Sequence, residues 1–406
     1  MRILVVYHFF HPDAVISARI FSDLAAELAD AGHEVSVFTC NRMIRSDVIL
    51  PERESWRGIR IFRFSRPNFS QGNNFGRLFN SAILQLKWLF AFFRRRREFD
   101  AVIVGTDPQF SYLMFPFLRL MSRRVKLVHW AFDLYPEAIL VNSPRWMKCL
   151  AALTRPFVPW AYRRVDVMVD IGGCMRERLL KYRHRAQCET LTPWALVEPD
   201  APPVQESAVR RELFGDAKLG ILYSGTVGYA HDLSAFIALA RECRRQGINA
   251  AFCFAGYGNQ YGAQTASLTP EDTNIRLAGF ASEAELGKRL AAADIHLISL
   301  RRGWEGIVVP SKFFGALAIG RPVLFSGPQE SCLARWISSE HIGAVMDDNI
   351  ESGVRFVREL SESAERLKEF EQRAFETYGK KFSRQVVCGR WLTLLDSFPG
   401  PGQANL

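Results

Sequence analysis

The sequence has no cysteine pair at metal-ligand spacing and no long apolar run. None of the eight cysteines forms a CxxC pair, and no His–Cys cluster has the spacing of a zinc site. We therefore expect reduced thiols and no metal. The sequence has no stretch of about 18 uncharged apolar residues, which is the length needed to cross a bilayer. Met1 and Arg2 run directly into an apolar segment, unlike a secretory leader, so we expect a cytoplasmic protein.

The composition is that of a folded chain with a basic surplus. Hydrophobic residues make up 48% of the 406 residues and charged residues 23%, which excludes a disordered, collagen-like or polytopic membrane protein. The length favours two domains of about 200 residues each. The net charge of +10 suggests an anionic partner, such as a nucleotide or a phospholipid surface. No nucleic-acid-binding pattern is present, so we expect no nucleic-acid partner.

Short apolar strands alternate with helices along both halves of the chain. Ile3 to Tyr7 is a continuous apolar run, typical of a strand that is buried on both faces. The alternation stops at the Pro-rich segment 199–204 and then restarts. This order predicts two doubly wound α/β units with parallel sheets, whose ligands lie beyond the carboxyl ends of the strands.

The linker sets the predicted domain boundaries. Residues 1–198 would form an N-terminal Rossmann-like domain and residues 205–380 a C-terminal one. A helix at about 381–398 would pack back on the N-terminal domain, and residues 399–406 would form a loose tail. Two such units in tandem suggest a ligand in a cleft between them.

Two segments of the second half could bind phosphate. Residues 223–228, YSGTVG, run from a strand into a glycine-containing turn that lets the backbone approach a ligand. Pro310 suits the first turn of a later helix, where Ser311 and Lys312 would place a hydroxyl and an ammonium beside free N–H groups. The pattern favours a diphosphate site. The alternatives are a tight strand–helix turn at Gly225 and a solvent-facing Lys312.

Several motifs then occur in a recognisable order. They read AGHEVSVFT, FDLYPE, YSGTVGYAHD, FAGYGN, AAADIHLIS and VPSKFFGALAIGRPVLF. The chain resembles a family 4 glycosyltransferase of the GT-B fold, in particular the branch that makes bacterial capsules, O-antigens and exopolysaccharides. The resemblance implies two Rossmann-like domains facing a central cleft, the first for the acceptor and the second for the donor. It also implies retaining transfer from a nucleotide diphospho-sugar to a lipid-linked or saccharide acceptor, without a metal or other cofactor.

The resemblance also implies the residues that surround the donor. Those near the diphosphate, the base and the donor sugar are Ser224, Gly225, Thr226, Gly256, Phe280, Ser282, Val308, Val309, Pro310, Ser311 and Lys312. The Arg and Lys pair that is common after the first strand of the second domain is missing, and Gly228 and His231 lie nearby as the donor-side candidates there. The chain departs from the family at two glutamates that often occur in this region. Ile307 and Gly315 occupy those positions, and Glu305 is out of register by two residues.

Candidates for acid–base or polarising roles follow a strand in the first half. His129 ends that strand, and Asp133 and Glu137 lie in FDLYPE, at its carboxyl end. Asp133 could stabilise positive charge on the sugar ring or accept the acceptor's proton. The alternatives are helix caps for Asp133 and Glu137 and a hydrogen-bonded core histidine for His129. On the acceptor side, His8, His11 and Arg19 follow the first strand, and Arg19 could pair with an anionic group.

Residues 75–97 have the pattern of an amphipathic helix that ends in Arg94 to Arg97. Such a helix can lie on an anionic membrane surface. This favours a peripheral position on the inner face of the cytoplasmic membrane, where a lipid-linked acceptor would be found. The alternative is a core helix with a solvated basic end.

Two other functions remain open from the sequence. One is a nucleotide-sugar epimerase of the same fold, which would need several acid–base groups around the sugar and no acceptor. The other is a catalytically degenerate subunit that binds a nucleotide sugar or a partner protein. The replaced glutamates, at Ile307 and Gly315, are the feature that raises this second alternative.

Overall fold

The computed structural model describes residues 1–44, 46, 48–69, 74–279, 281–346 and 349–398. It divides into two compact units, Met1–Thr192 with the C-terminal residues from Cys388, and Pro193–Val387. The main chain changes unit over a few residues, because Leu191 N donates to Asp170 O whereas Ala195 N donates to Tyr378 Oη. The predicted linker, 199–204, lies slightly later and within the second unit. The predicted tail, 399–406, lies outside the described residues.

The first unit is built on an eight-stranded sheet of order β3-β4-β2-β1-β5-β6-β7-β8, in which only the β3–β4 pair is antiparallel. The strands are β1 (Arg2–Val6), β2 (Glu34–Cys40), β3 (Arg53–Trp56), β4 (Ile59–Phe64), β5 (Ala101–Gly105), β6 (Lys126–Trp130), β7 (Val167–Asp170) and β8 (Gln187–Thr190). The helices are α1 (Ile16–Asp30), α2 (Asn74–Arg95), α3 (Phe115–Met121), α4 (Glu137–Val141), α5 (Arg145–Thr154), α6 (Phe157–Tyr162) and α7 (Gly173–Leu180).

The central strands form where the sequence is continuously apolar. All of β5 is buried, and so is β1 after Arg2, as expected for parallel strands covered by helices on both faces. The antiparallel strand β3 was not predicted. Its sequence, RESW, has no apolar run and alternates exposed with half-buried side chains, the pattern of an edge strand, which is set by pairing with β4 rather than by its own residues.

The second unit is a six-stranded, all-parallel sheet of order β11-β10-β9-β12-β13-β14. Its strands are β9 (Leu219–Thr226), β10 (Ala250–Tyr257), β11 (Ile275–Ala278), β12 (Ile295–Ser299), β13 (Val323–Ser326) and β14 (Gly343–Met346). Its helices are α8 (Ser207–Phe214), α9 (Ser234–Arg245), α10 (Tyr261–Thr265), α11 (Glu283–Ala291), α12 (Lys312–Ala318), α13 (Cys332–Glu340), α14 (Glu351–Glu362) and α15 (Ala364–Lys381).

Successive side chains of β10 enter different cores, as the two-residue period of a strand requires. Phe252 and Phe254 pack with the apolar face of α9. Ala251, Cys253 and Ala255, which alternate with them, pack with Leu213 and Phe214 of α8. Helices therefore cover both faces of the sheet. This leaves the carboxyl ends of its strands as the place for a ligand.

A last helix, α16 (Arg384–Asp396), brings the chain back to the first unit. Trp391 is fully buried, and its ring centroid lies 4.9 Å from that of Trp130 at the end of β6. Among the helices of the described residues, none combines the length and the apolar character needed to cross a membrane.

Candidate functional site

In the second unit, three strand ends converge around glycines. Gly225 of β9 lies beside Gly256 of β10 in parallel register, and Ser299 ends the neighbouring β12. Gly225 has φ +120°, and a Cβ there would lie 3.0 Å from Lys312 Cε. The backbone conformation therefore favours glycine at this position, and a larger residue would also press on the Lys312 side chain.

Lys312 is the cation of this cluster. It begins α12, and its Nζ donates to Thr226 O at 2.9 Å and lies 5.2 Å from the ring centroid of Tyr223. Among the described residues no carboxylate forms an ion pair with it. Burial lowers the pKa of Lys312 to about 8, because the ammonium has lost water without gaining a negative charge. An anionic ligand would supply that charge.

His231 lies against Lys312 in a defined tautomer. Its Nδ1 is 2.9 Å from Ser299 O, so Nδ1 carries the proton, and its Nε2 is 3.4 Å from Lys312 Nζ. Burial, followed by the charge of Lys312, lowers the pKa of His231 to about 3. The imidazole is therefore neutral and orients the ammonium from one side.

The other predicted donor residues occupy different positions around this cluster. Ser224, Thr226 and Gly228 belong to the β9 end or the turn after it, and Val308, Val309, Pro310 and Ser311 form the loop that enters α12. Ser282 instead caps α11, because its Oγ lies 2.7 Å from Glu285 Oε2, which also accepts from Ser282 N. Phe280 lies outside the described residues.

The sequence analysis missed the residues that hold this cluster together. Tyr223 lies beneath the ammonium, Ser299 binds His231, and Arg301 Nε donates to His231 O at 3.0 Å. Ser299 ends β12, and Arg301 lies two residues later. Their place at the carboxyl end of a predicted strand was the signal in the sequence that could have identified them.

In the first unit, a histidine and an aspartate meet at the ends of β1 and β5. His8 Nδ1 lies 3.1 Å from Asp107 Oδ2, and His8 N donates to Asp107 O. Burial alone would lower the pKa of His8, but the charge and hydrogen bond of Asp107, with a smaller contribution from Cys40, raise it to about 9. His8 is therefore a buried imidazolium at neutral pH.

Asp133 follows the next strand, β6, beside the same pair. Thr106 Oγ1 accepts hydrogen bonds from the backbone N–H groups of Phe132 and Asp133, both at 3.3 Å. Among the described residues none donates a hydrogen bond to the Asp133 carboxyl. Burial, followed by the charge of Asp107, raises its pKa to about 7, near the value that suits proton transfer at neutral pH.

The two other candidates from that segment, His129 and Glu137, have hydrogen-bond partners away from Asp133. His129 is buried within β6, where Nδ1 donates to Val104 O at 3.0 Å and burial lowers the pKa to about 4. Its ring packs on Phe115 and Tyr162. Glu137 begins α4 and accepts a hydrogen bond from Tyr182 Oη. Both environments are those of structural residues.

The remaining acceptor-side candidates are His11 and Arg19. His11 stacks on Trp56 with ring centroids 4.3 Å apart, and burial lowers its pKa. The charge of Glu54 opposes this lowering, whereas the charges of Arg63 and Arg19 add to it. Among the described residues no group of three or more His, Cys, Asp or Glu could hold a metal ion.

A comparison with protein families finds a match to most of the first unit. A family model described as a glycosyl transferase 4-like domain matches residues 17–194. Among curated proteins, the chain is 27% identical over 291 residues to a "Probable glycosyltransferase WbjE" of Pseudomonas aeruginosa, covering 70% of each chain. These matches confirm the family resemblance drawn from the motifs.

Solved structures confirm the fold. WaaG, a glycosyltransferase involved in lipopolysaccharide biosynthesis, superposes with a TM-score of 0.66 at 16% identity, covering 98% of this chain and 100% of that chain. HepE of Anabaena, solved with UDP-glucose, gives a TM-score of 0.68 at 12% identity, with the same coverage of 98% and 100%. Two parallel-sheet Rossmann-like domains with these neighbours establish the GT-B fold that the sequence predicts.

Proposed function

Because a glycosyl transferase 4-like family model matches residues 17–194, we propose that the chain is a retaining glycosyltransferase of bacterial surface polysaccharide synthesis. It transfers a hexosyl or N-acetylhexosaminyl group from a nucleotide diphospho-sugar to a lipid-linked or saccharide acceptor. The names of the relative WbjE and of the structural neighbour WaaG support the polysaccharide assignment. The structure of HepE with UDP-glucose supports the donor class.

The ammonium of Lys312 is the observation that carries this proposal. It lies at the carboxyl ends of β9 and β12 with a lowered pKa and no carboxylate partner among the described residues. A diphosphate placed there would supply the negative charge that the buried ammonium lacks and would accept a charge-assisted hydrogen bond from it. Gly225 keeps the backbone open at that point. In this proposal Lys312 takes the place of a metal in offsetting charge on the leaving diphosphate, and no other cofactor takes part.

Asp133 acts on the acceptor side of the reaction. At neutral pH its carboxyl is divided between the charged and the protonated form, because its pKa is raised to about 7. The charged form can accept the proton of the acceptor hydroxyl or stabilise positive charge on the sugar ring. The ionised His8–Asp107 pair beside it holds a fixed charge arrangement as that proton moves.

We place the enzyme on the inner face of the cytoplasmic membrane through α2. Phe75, Phe79, Leu86, Phe90 and Phe93 are exposed along this helix. Arg94 and Arg96 lie over the rings of Phe90 and Phe93, whereas Arg95 turns toward Phe62 and Glu98. A surface of aromatic rings and arginines fits the interface of an anionic bilayer.

A transfer assay tests the proposal. The purified protein would be incubated, with EDTA, with UDP-, GDP- and dTDP-sugars and a polyprenyl-diphosphate saccharide, and the product linkage read by NMR. We expect one donor to give a glycosylated lipid whose anomeric configuration matches the donor. Conversion of a donor into its epimer without acceptor, or an inverted linkage, would contradict the proposal.

A catalytically degenerate, nucleotide-sugar-binding subunit is the second candidate. It is favoured by Ile307, which is fully buried where the family often has a glutamate, and by Gly315 at the other such position. Glu305 does not replace them, since its carboxylate accepts from Gly303 N at 2.7 Å. Donor binding without transfer to any acceptor would establish this candidate instead.

A further inference from the structure

The helices α5 and α6 carry an exposed apolar strip that the sequence analysis did not identify. Its members, called here the α5–α6 strip, are Trp146, Leu150, Leu153, Phe157 and Trp160. They follow one another at steps of four, three, four and three residues, the spacing of a single helical face. Leu153 is 70% exposed and Phe157 54% exposed, so this face is not part of the core.

The strip is continuous although the two helices are separate. Arg155 and Pro156, which join them, keep right-handed helical backbone angles. The opposite face supplies the core residues Met147, Ala151 and Val158, all of them buried. The segment is therefore amphipathic. One face is packed against the core of the unit, and the other, exposed face is available to a partner.

The charged residues within the segment that carries the strip are all basic. Between Glu137 and Asp166 the sequence has no acidic residue, while it has five basic ones. They are Arg145, Lys148, Arg155, Arg163 and Arg164. A face with two tryptophans and a basic border complements an interface that is apolar below and negatively charged above.

Ring contacts join the strip to the neighbouring helices. Trp146 stacks on Phe75 of α2 with centroids 4.7 Å apart and an interplanar angle of 17°. Trp160 meets Phe117 of α3 edge to face at 6.5 Å. Leu120, at the end of α3, is 82% exposed. The apolar surface of α2 thus extends across three more helices.

We propose that the α5–α6 strip is a second membrane-docking element, which inserts into the interface of an anionic phospholipid bilayer beside α2. This inference rests on the proposed membrane location and deepens it. Two apolar helical faces joined at Phe75 and Trp146 resist rotation of the unit on the membrane, which a single helix does not. Basic residues near an anionic surface add electrostatic attraction to the insertion of apolar side chains, so both elements together bind more tightly than either alone.

Cys149, an exposed cysteine in α5 next to the strip, allows a direct test. The full chain would be labelled there with an environment-sensitive fluorophore and mixed with vesicles of phosphatidylglycerol and phosphatidylcholine in equal parts. We expect a blue shift and quenching by nitroxide lipids, both absent with phosphatidylcholine alone. A label placed by Val204→Cys in a Cys149→Ser background, at a 90% exposed position of the second unit, should show neither change. Equal responses from both labels, or none from Cys149, would overturn the inference.

A variant pair measures the contribution of the strip. Leu153→Asp with Phe157→Asp places two carboxylates in it and should weaken vesicle binding by at least about tenfold. Val204→Asp, the matched control, should bind as the unchanged chain does. Leu153→Asp alone repeats the test with less disturbance and should weaken binding in the same direction. Unchanged vesicle binding of both strip variants would refute the proposal. It would also be refuted if the unchanged chain bound no vesicles and light scattering showed it as a dimer that the strip variants do not form, because the strip would then bind a second copy of the chain.

The thermal shift caused by nucleotide diphospho-sugar separates this inference from the proposed function. The strip variants should keep that shift, because Lys312 and its neighbours belong to the other unit. If donor binding and sugar transfer persist while the strip variants also bind vesicles normally, only the docking inference fails. If vesicle binding depends on the strip but no donor binds, only the proposed reaction fails.

Discussion

The key side chains of the two units differ in how their charges are balanced. In the second unit, Lys312 faces a carbonyl, a neutral imidazole and a ring, without a carboxylate among the described residues. In the first unit, the imidazolium of His8 is paired with Asp107, and Asp133 lies close enough for Asp107 to raise its pKa. One site therefore favours an incoming anion, and the other favours movement of a proton. The comparison separates donor binding from chemistry.

Loss of the carboxylate in the first unit should have the largest effect. Asp133→Asn keeps the shape of the side chain but cannot accept a proton, so we expect kcat to fall by about a hundredfold or more. The dissociation constant of the donor should stay within about twofold, because the donor contacts are in the other unit. Steady-state kinetics and calorimetry would measure the two quantities.

Asp30→Asn provides the control for that change. Asp30 is an exposed carboxylate of the same unit that pairs with Arg57 on the surface, and its loss should leave kcat unchanged. Full activity of the Asp133→Asn enzyme would remove this residue from the mechanism.

Loss of the cation in the second unit should give the opposite result. Lys312→Ala removes the ammonium that meets the diphosphate, and we expect the donor's dissociation constant to rise at least about tenfold, or 1.4 kcal/mol. Lys218→Ala, at an exposed lysine of the same unit, should change nothing. Unaltered affinity in isothermal titration would show that the diphosphate binds elsewhere.

Gly225→Ala also tests the donor site of the second unit, and its effect on donor affinity should be smaller than that of Lys312→Ala. Its φ of +120° strains any other residue, and the added Cβ would press on Lys312 Cε at 3.0 Å. We expect donor affinity to fall about threefold to tenfold together with a lower melting temperature. Gly262→Ala, where a Cβ meets nothing within 4 Å, is the control. An equal loss of affinity in both variants would mean that Lys312 is not crowded as described.

The pH dependence of kcat/KM tests the part of the comparison that concerns Asp133 in the first unit. Burial and the charge of Asp107 raise the pKa of Asp133 to about 7, so its ionised form is lost as the pH falls through that value. We expect kcat/KM to decrease about tenfold per pH unit below it. Asp107→Asn removes one cause of the shift and should move this limb to lower pH. A pH–rate profile in which the limb stays in place would show that another group controls it.

The success of sequence-based prediction also differs between the two sites. The strands could be predicted because buried parallel strands such as β1 and β5 are continuous apolar runs. The neighbourhood of Lys312 could be predicted because Pro310, Ser311 and Lys312 are adjacent in the chain. By contrast, His8 and Asp107 are separated by 99 residues and meet only through the register of β1 and β5.

Residues whose roles depend on packing escaped prediction for the same reason. His129 lies near the carboxyl end of an apolar strand, as a site residue could, yet its ring packs in the core against Phe115 and Tyr162. Ser299 and Tyr223 contact the Lys312 cluster through the folding of β9 against β12. Strand β3 is defined by its partner β4. No local pattern contains that information.

Donor titration of three proteins tests the central claim most directly. The unchanged chain, Lys312→Ala and Asp133→Asn would each be titrated calorimetrically with the nucleotide diphospho-sugar that the unchanged chain uses, and their kcat values measured in parallel. The account predicts a crossed result, in which Lys312→Ala loses donor affinity and Asp133→Asn loses turnover while binding donor normally. A loss of donor affinity in the Asp133→Asn protein, with Lys312→Ala binding normally, would contradict the division between the two sites.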